Sequence, residues 1–417
     1  MTKKLAALKG MRDILPYDIG KWRYAEEAAR KLFANFGYAE IRTPILEETA
    51  LFTRSIGEGT EIVQKQMFSF KDRGERDIAL RPEGTAPVVR AYLENGLDMK
   101  MPICKLFYIG PMFRSERPQA GRSRQFYQIG VESIGFNSPQ ADVDVIAVMM
   151  KLFEACSLED AELNINSLGC EKDKKHFEQI LKEALAADVK RLCEDCKKRY
   201  DKNILRIFDC KNETCRAVLH AAPKVAEHLC PECRMHFEKV REGLTAVGIK
   251  YRVEPFLVRG LDYYTGTVFE VTHKNLGSQD AVAAGGRYDG LIQELGGEPT
   301  PACGFAVGLD RLMLAAADRI KPQETRIEVF LALLGEEADK LGIKLLKELR
   351  GKGVLCETCF GAKSLKSQMR LADRLKVKRV LIIGEDEIAK DIAVLRDMDT
   401  KEQKEIKLKD AADTHLW

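Results

Sequence analysis

Arginine is concentrated in one short stretch of this chain. Arg114, Arg117, Arg122 and Arg124 fall within a loop and its flanks, between two runs, 107–114 and 124–132, that read as strands. A planar guanidinium fork makes paired, charge-assisted bonds to carboxylate and phosphate, so this loop is a candidate anion site. Alternate residues of a strand share a face, which groups Arg124, Phe126, Gln128, Gly130 and Glu132. That face suits the floor of a polar pocket, with the glycine letting a ligand approach the backbone. A solvated hairpin would show the same alternation. A second stretch, 257–270, sets Arg259 before a glycine and then Tyr263 beside Tyr264. In extended backbone the two rings point opposite ways, one into a core and one offering its hydroxyl to a ligand. The glycine-rich runs 284–290 and 303–311 also place Gly beside Arg. Close approach to a flat or phosphorylated ligand and ordinary tight turns both explain such glycines.

The missing motifs narrow the chemistry. There is no Gly-x-x-x-x-Gly-Lys-Ser/Thr loop, no Gly-x-Gly-x-x-Gly turn and no Ser nucleophile elbow. The six histidines are scattered, with no His-Glu-x-x-His pair. A site made of Arg, Glu, Gln, Tyr and Gly lacks its own nucleophile and would act by positioning and charge neutralisation.

Cysteine supplies another cluster. Seven of the twelve cysteines lie between residues 169 and 248. Cys193-x₂-Cys196 and Cys230-x₂-Cys233 have zinc-ligand spacing, with Cys210 and Cys215 between them. Four thiolates from the two pairs would make a closed structural site; reduced structural thiols are the plain alternative.

These residues need a scaffold. Residues 1–168 read as mixed α/β, with a helix over 22–36 and strands at 78–80, 105–109 and 125–134. Residues 169–248 read as a mostly helical insertion ending in a helical pattern over 224–247. Strands return at 253–258 and 267–272, and a helix covers 309–317. A polar linker, 318–326, leads into strand, helix, strand, helix, strand at 328–334, 338–350, 354–358, 364–375 and 379–383. That alternation predicts a small separate domain with parallel strands. On its second helix Lys366, Arg370 and Arg374 recur every four residues and line one face, extended by Lys363, Lys376, Lys378 and Arg379.

A length of 417 residues predicts two or three domains. The net charge of +3 excludes a uniformly basic nucleic-acid coat, so any RNA contact must be local. No apolar run is long enough for a membrane span. The opening ten residues lack a signal-peptide core. The chain is therefore expected in the cytoplasm, where its cysteines stay reduced.

Six blocks carry a family resemblance: 10–16 (GMRDILP), 80–85 (LRPEGT), 110–117 (GPMFRSER), 257–264 (LVRGLDYY), 285–290 (GGRYDG) and 304–311 (GFAVGLDR). In this order they resemble the signature blocks of histidyl-tRNA synthetases, and 257–264 is the most specific. The resemblance implies an α+β class II catalytic domain over residues 1–325, an antiparallel sheet with flanking helices, interrupted by the insertion at about 169–248. It implies a small α/β anticodon-binding domain over 326–417 and a homodimer with the segment around Thr43 and Pro44 in its interface. The implied reaction joins histidine to ATP with magnesium, giving histidyl-adenylate and pyrophosphate, then moves histidine to the 3′ end of tRNA(His).

Roles carried over by the resemblance are these. Arg114 bridges the amino-acid carboxylate and α-phosphate, and Arg259 stabilises charge at the α-phosphate. Arg311 lies by the adenine and terminal phosphate, and Arg122 by the γ-phosphate. Glu83, Thr85 and Gln128 hold the α-amino group. Glu132 and Tyr264 bond the imidazole nitrogens, with Tyr263 and Tyr288 close by. The face of Lys366, Arg370 and Arg374 becomes a tRNA-backbone contact. Bacterial relatives often carry another Cys shortly after the position of Cys170; Glu171, Lys172 and Asp173 follow it here, which puts a metal site using Cys170 in doubt. A histidine-sensing regulatory relative would lack the last domain and part of the arginine set, both of which this chain keeps.

Overall fold

A computed structural model describes residues 5–57, 59–101, 103–277, 280–316, 318–321, 326–361 and 364–417. The chain forms two compact units, Met1–Pro322 and Gln323–Trp417.

The first unit is built on an eight-stranded sheet: β1 (Ala39–Glu40), β2 (Cys104–Phe113), β3 (Gln125–Ile134), β4 (Glu162–Ser167), β5 (Arg252–Val253), β6 (Thr265–Thr272), β7 (Ala281–Arg287) and β8 (Ala302–Gly308). Their order is β1-β2-β3-β8-β7-β6-β4-β5. All pairs are antiparallel except the short edge pairs β1–β2 and β4–β5. Alternation sorts the side chains of each strand. Phe107, Ile129, Val131 and Phe305 join one core with Trp22, Ala25, Ala29 and Phe33, which recur at helical spacing on Ile19–Asn35. Helix Pro139–Ala155 adds Val145, Ile146, Met149 and Leu152. Leu106, Tyr108 and Met112 face the other way, into a second core with Tyr263, Tyr264 and Tyr288. This second face carries the chemistry.

The insertion forms helices Glu171–Leu185, Glu194–Lys202, Glu213–His220 and Pro231–Ala246, joined by 3₁₀ turns. Phe177, Leu181, Ile204, Val218 and Leu229 make its own small core. Its last helix differs: Phe237, Val240 and Leu244 pack into the main core. The strand expected over 253–258 stops at Val253 and gives way to a turn.

The second unit has a five-stranded sheet in the order Cys356–Thr358, Val329–Leu333, Arg379–Ile383, Ile392–Asp397, Gln403–Lys407. The first three strands are parallel, as their alternation with helices predicts; the last two are antiparallel, so the sheet is mixed. Helix Leu365–Arg374 is tied to Val329–Leu333 through the buried Gln368. Its amide donates to the Leu333 carbonyl at 2.6 Å and accepts the Leu333 N–H at 3.1 Å.

Candidate active site

A cavity of about 1090 Å³ opens on the second face of the sheet. Strand β2 delivers Tyr108, and Arg114 follows its end; β3 delivers Phe126 and Gln128; helix Leu309–Ala316 delivers Arg311; the turn after Phe256 delivers Arg259, Tyr263 and Tyr264. Arg122, Glu83 and Thr85 also line it. Residues spread over more than two hundred positions thus line one cavity.

Each arginine has a support. Arg114 donates Nε to the Pro82 carbonyl at 2.9 Å, and its guanidinium lies 5.3 Å from the Phe126 ring centre. Arg311 donates to the Gly121 carbonyl at 3.0 Å and the Ala281 carbonyl at 2.7 Å. Arg259 donates to Glu270 at 2.7 Å and lies 5.9 Å from the Tyr264 ring centre. Arg122 faces Glu116 at 3.1 Å. The opening motif joins here too: Arg12 donates to Asp310 at 3.2 Å, and the same carboxylate accepts the Tyr127 N–H at 2.9 Å.

Glu83 accepts the backbone N–H groups of Thr85 and Ala86, at 2.6 and 2.9 Å, and so caps helix Thr85–Glu94. An anion at a helix N-terminus meets unpaired donors and the favourable end of the dipole. Burial nonetheless pushes the Glu83 carboxyl above its ordinary value. Glu132 sits behind Thr85, buried. It accepts the Thr85 hydroxyl at 2.7 Å and the Tyr288 hydroxyl at 2.5 Å. Burial pushes its carboxyl up to about 8. Neither Glu132 nor Tyr288 is part of the cavity lining. Tyr264, also buried, is pushed up to about 12 by desolvation.

Several polar atoms in this wall are buried and have no hydrogen-bond partner among the described residues: Gln128 Oε1, Tyr108 Oη and Arg259 Nε. Such groups are costly to leave unpaired, and at a cavity they mark where a polar ligand fits.

Three expectations need correction. Gly130 does not clear space for a ligand. A Cβ there would lie 2.3 Å from the Tyr108 ring, as would one at Gly84, so both glycines make room for that side chain. Gly304 likewise clears the Glu132 carboxylate, 2.0 Å from where its Cβ would be. Tyr263 and Tyr264 do not point apart. They lie on a turn rather than extended backbone, with ring centres 4.7 Å apart and both lining the cavity. Finally, Cys193, Cys196, Cys230 and Cys233 do not form one group. Cys193 and Cys196 gather with Cys210 and Cys215, while Cys230 and Cys233 gather with Cys170 and Asp173; ligand atoms in each set lie within 4.8 Å of one another. The chain returns from the first knuckle through the 3₁₀ turn Ile204–Asp209, which brings Cys210 back sooner than Cys230.

Sequence reading missed Tyr108, although alternation from Arg114 along β2 puts both on one face. It also missed Arg199, Arg206, Asp209 and Arg216, which the insertion contributes to the cavity; nothing in their local pattern distinguishes them from surface charge. On the second unit Lys366, Arg370 and Arg374 are exposed on helix Leu365–Arg374, opposite Gln368. Lys363 lies outside the described residues.

An antiparallel sheet that gathers arginines, rather than a phosphate loop, on one face is the catalytic scaffold of the class II aminoacyl-tRNA synthetases. Residues 10–312 match the family described as histidyl-tRNA synthetase, and residues 328–415 match the anticodon binding domain. The histidine–tRNA ligase of Halothermothrix orenii is 50% identical over 404 residues, 96% of each chain. That of Syntrophotalea carbinolica is 47% identical over 404 residues, 97% of this chain and 96% of the other. The crystal structure of apo S. aureus histidyl-tRNA synthetase is similar with a TM-score of 0.84 and 35% identity, covering 99% of this chain and 100% of that one. The chain belongs to the histidyl-tRNA synthetase family and has its activity, the ATP-dependent ligation of histidine to tRNA. No helix among the described residues is long and apolar enough to cross a membrane.

Proposed function

We propose that the cavity on the second face of the sheet binds histidine and ATP side by side and makes histidyl-adenylate there. The observation that carries this is the set of unpaired buried atoms, Gln128 Oε1, Tyr108 Oη and Arg259 Nε, converging on one cavity. The histidine carboxylate attacks the α-phosphorus, and the bond to pyrophosphate breaks. The substrate itself is the nucleophile, so the protein need only align and neutralise. Arg114 orients the carboxylate against the α-phosphate, and Arg259 meets the charge that builds on the α-phosphate. To do so it must share or leave Glu270. Arg311 and Arg122 hold the adenine and terminal-phosphate ends of the nucleotide, which arrives as its magnesium complex. Transfer to the 3′ end of tRNA(His) follows.

Glu83, Thr85 and Gln128 receive the α-amino group, and Tyr263 packs beside the pair. Tyr264 and Glu132 bracket the imidazole from its two nitrogens. Neutral imidazole offers one donor and one acceptor. A site that bonds both rejects analogues lacking them by about 10⁴–10⁵-fold. For Glu132 to accept the ring N–H it must share the hydrogen bond it now takes from Thr85, with Tyr288 holding its other oxygen in place.

The enzyme works in the cytoplasm as a homodimer. A three-stranded sheet beside Thr43 and Pro44, in the order Leu46–Glu48, Asp77–Leu80, Phe68–Lys71, exposes Leu46 and Phe70, and Ile45 beside it is also exposed. Arg81, buried, fixes that segment by donating to the Thr43 carbonyl at 2.9 Å and the Pro111 carbonyl at 3.0 Å. The thiol groups of the insertion take structural zinc, and the exposed face of Lys366, Arg370 and Arg374 meets the tRNA backbone.

Histidine-dependent ATP–pyrophosphate exchange tests the pocket. Gln128→Ala should raise the Michaelis constant for histidine, because one of its polar partners is gone, while the constant for ATP holds. An unchanged histidine constant would remove Gln128 from the site.

A further inference from the structure

We propose that Cys193, Cys196, Cys210 and Cys215 bind one zinc ion, and that this ion fastens the turn carrying Arg259. The proposal deepens the zinc and Arg259 readings above and rests on them.

The four sulfurs are arranged for a tetrahedral metal. Zinc thiolate bonds of about 2.3 Å put neighbouring sulfurs about 3.8 Å apart. Cys193 Sγ and Cys210 Sγ lie 3.8 Å apart. Backbone N–H groups are directed at two of the sulfurs. The Cys193 N–H points at Cys215 Sγ at 3.1 Å, and the Asn212 N–H at Cys210 Sγ at 3.4 Å. Cys193 stands immediately before helix Glu194–Lys202, with Cys196 in its first turn. Cys215 lies in the first turn of Glu213–His220, which Asn212 caps through the Cys215 N–H at 3.2 Å. Cys196 and Cys215 are buried, so the site is closed, as structural zinc sites are. All four cysteines are unpaired in disulfides.

The segment between the second and third ligands runs directly to the catalytic turn. Asn203 donates to Asp262 at 2.8 Å. The Phe208 ring lies 5.5 Å from the Phe256 ring. Arg206 lies so close to Gly260 that an added Cβ would sit 3.4 Å from its guanidinium. Asn203, Arg206 and Phe208 therefore grip the turn on both sides of Arg259. Their own segment contains the end of helix Glu194–Lys202 and the 3₁₀ turn Ile204–Asp209, and no strand. Anchoring both of its ends on one ion supplies the rigidity that a sheet would otherwise give. Arg259 can then meet the α-phosphate without a large reorganisation.

The experiment uses the full-length enzyme. Zinc is counted in the wild type and in Cys210→Ser/Cys215→Ser, with Cys210→His as a ligand-preserving control. The wild type should lose about one zinc per chain on the double serine change, and the histidine variant should keep it. A wild type without zinc, or a count unmoved by the double change, overturns the site. Hydrogen exchange is then followed across 256–262 before and after chelation of the wild type. Faster exchange there on metal loss, reversed by added zinc, is expected. Unchanged exchange after zinc has left overturns the fastening. In pyrophosphate exchange, kcat should fall by about 10²-fold while the histidine KM stays within about twofold. Equal damage to both constants would overturn the link to Arg259. If metal loss loosens 256–262 but replacing Arg259 has no effect, the fastening stands and the assigned role of Arg259 fails.

Discussion

Two walls of the same cavity are held by different means. The sheet wall, β2, β3, β8 and β7, carries Tyr108, Phe126 and Gln128 on continuous antiparallel ladders. Its glycines are spent on clearing the protein's own side chains, so Tyr108 and Glu132 are seated before any substrate arrives. The wall from the insertion, with Arg199, Arg206, Asp209 and Arg216, rests on short helices, a 3₁₀ turn and a small core. Position in the first wall is inseparable from folding. In the second it depends on a few local ties, so damage there should cost turnover before it costs stability.

The largest effect should come from the sheet side. Asp142 is fully buried. It accepts from Arg287, from the Thr267 hydroxyl at 2.7 Å and pairs with His236 at 2.8 Å, joining helix Pro139–Ala155, β6, β7 and the last insertion helix. Asp142→Asn takes from the buried Arg287 its fully buried counter-ion and leaves only the partly exposed Asp289, at 3.2 Å. A loss of about 3–5 kcal/mol in denaturant unfolding is expected. A loss below about 1 kcal/mol would mean the network is dispensable and the contrast between the walls is wrong.

Next in size is Arg259, where the two walls meet. Arg259→Ala should lower kcat for histidine-dependent pyrophosphate exchange by about 10²–10³-fold, the usual cost of removing one preorganised charge-stabilising donor. Its Glu270 partner is partly solvated, so stability should change little. Equal loss of stability and turnover would place Arg259 among the structural residues.

Charges away from both walls should leave adenylate formation alone. Replacing Lys366 and Arg370 together by Ala should raise the tRNA Michaelis constant several-fold at low salt, with the effect shrinking as salt rises. Pyrophosphate exchange should be unmoved. Identical tRNA kinetics would remove the helix Leu365–Arg374 from the tRNA contact.

The same division explains what could be read from residues alone. Strands Gln125–Ile134 and Arg379–Ile383 match their expected limits because alternation or a short apolar run is bounded by clear breaks. Arg114, Arg259 and Arg311 stand out only through the family blocks; strand periodicity marks Phe126 and Gln128, but with them Arg124, which does not line the cavity. Gln403–Lys407 escaped notice because it is a polar edge strand with almost no buried residue. The cysteine grouping was missed for a different reason. Spacing fixes each knuckle, but which knuckle meets which depends on the path of the chain, and sequence distance does not encode that. The glycines at 84, 130 and 304 could be recognised as sites of close approach, yet only the fold says that Tyr108 and Glu132 are what approach them.

The last expected effect bears on how deeply the sheet wall is closed. Burial pushes the Glu132 carboxyl from an ordinary 4.5 up to about 8. Between those values the folded protein keeps a proton that the unfolded chain has released. Raising the pH through that window therefore favours unfolding, and the contribution present below 4.5 is lost on the way to about 8. Glu132→Gln is neutral throughout and cannot show this loss. The melting temperature of the unliganded wild type, minus that of the variant, should fall steadily across the window. Parallel curves would show that Glu132 is already ionised in the folded protein. Its hydrogen bonds from Thr85 and Tyr288 would then outweigh desolvation, and the sheet wall would be holding a charge in place before the histidine ring reaches it.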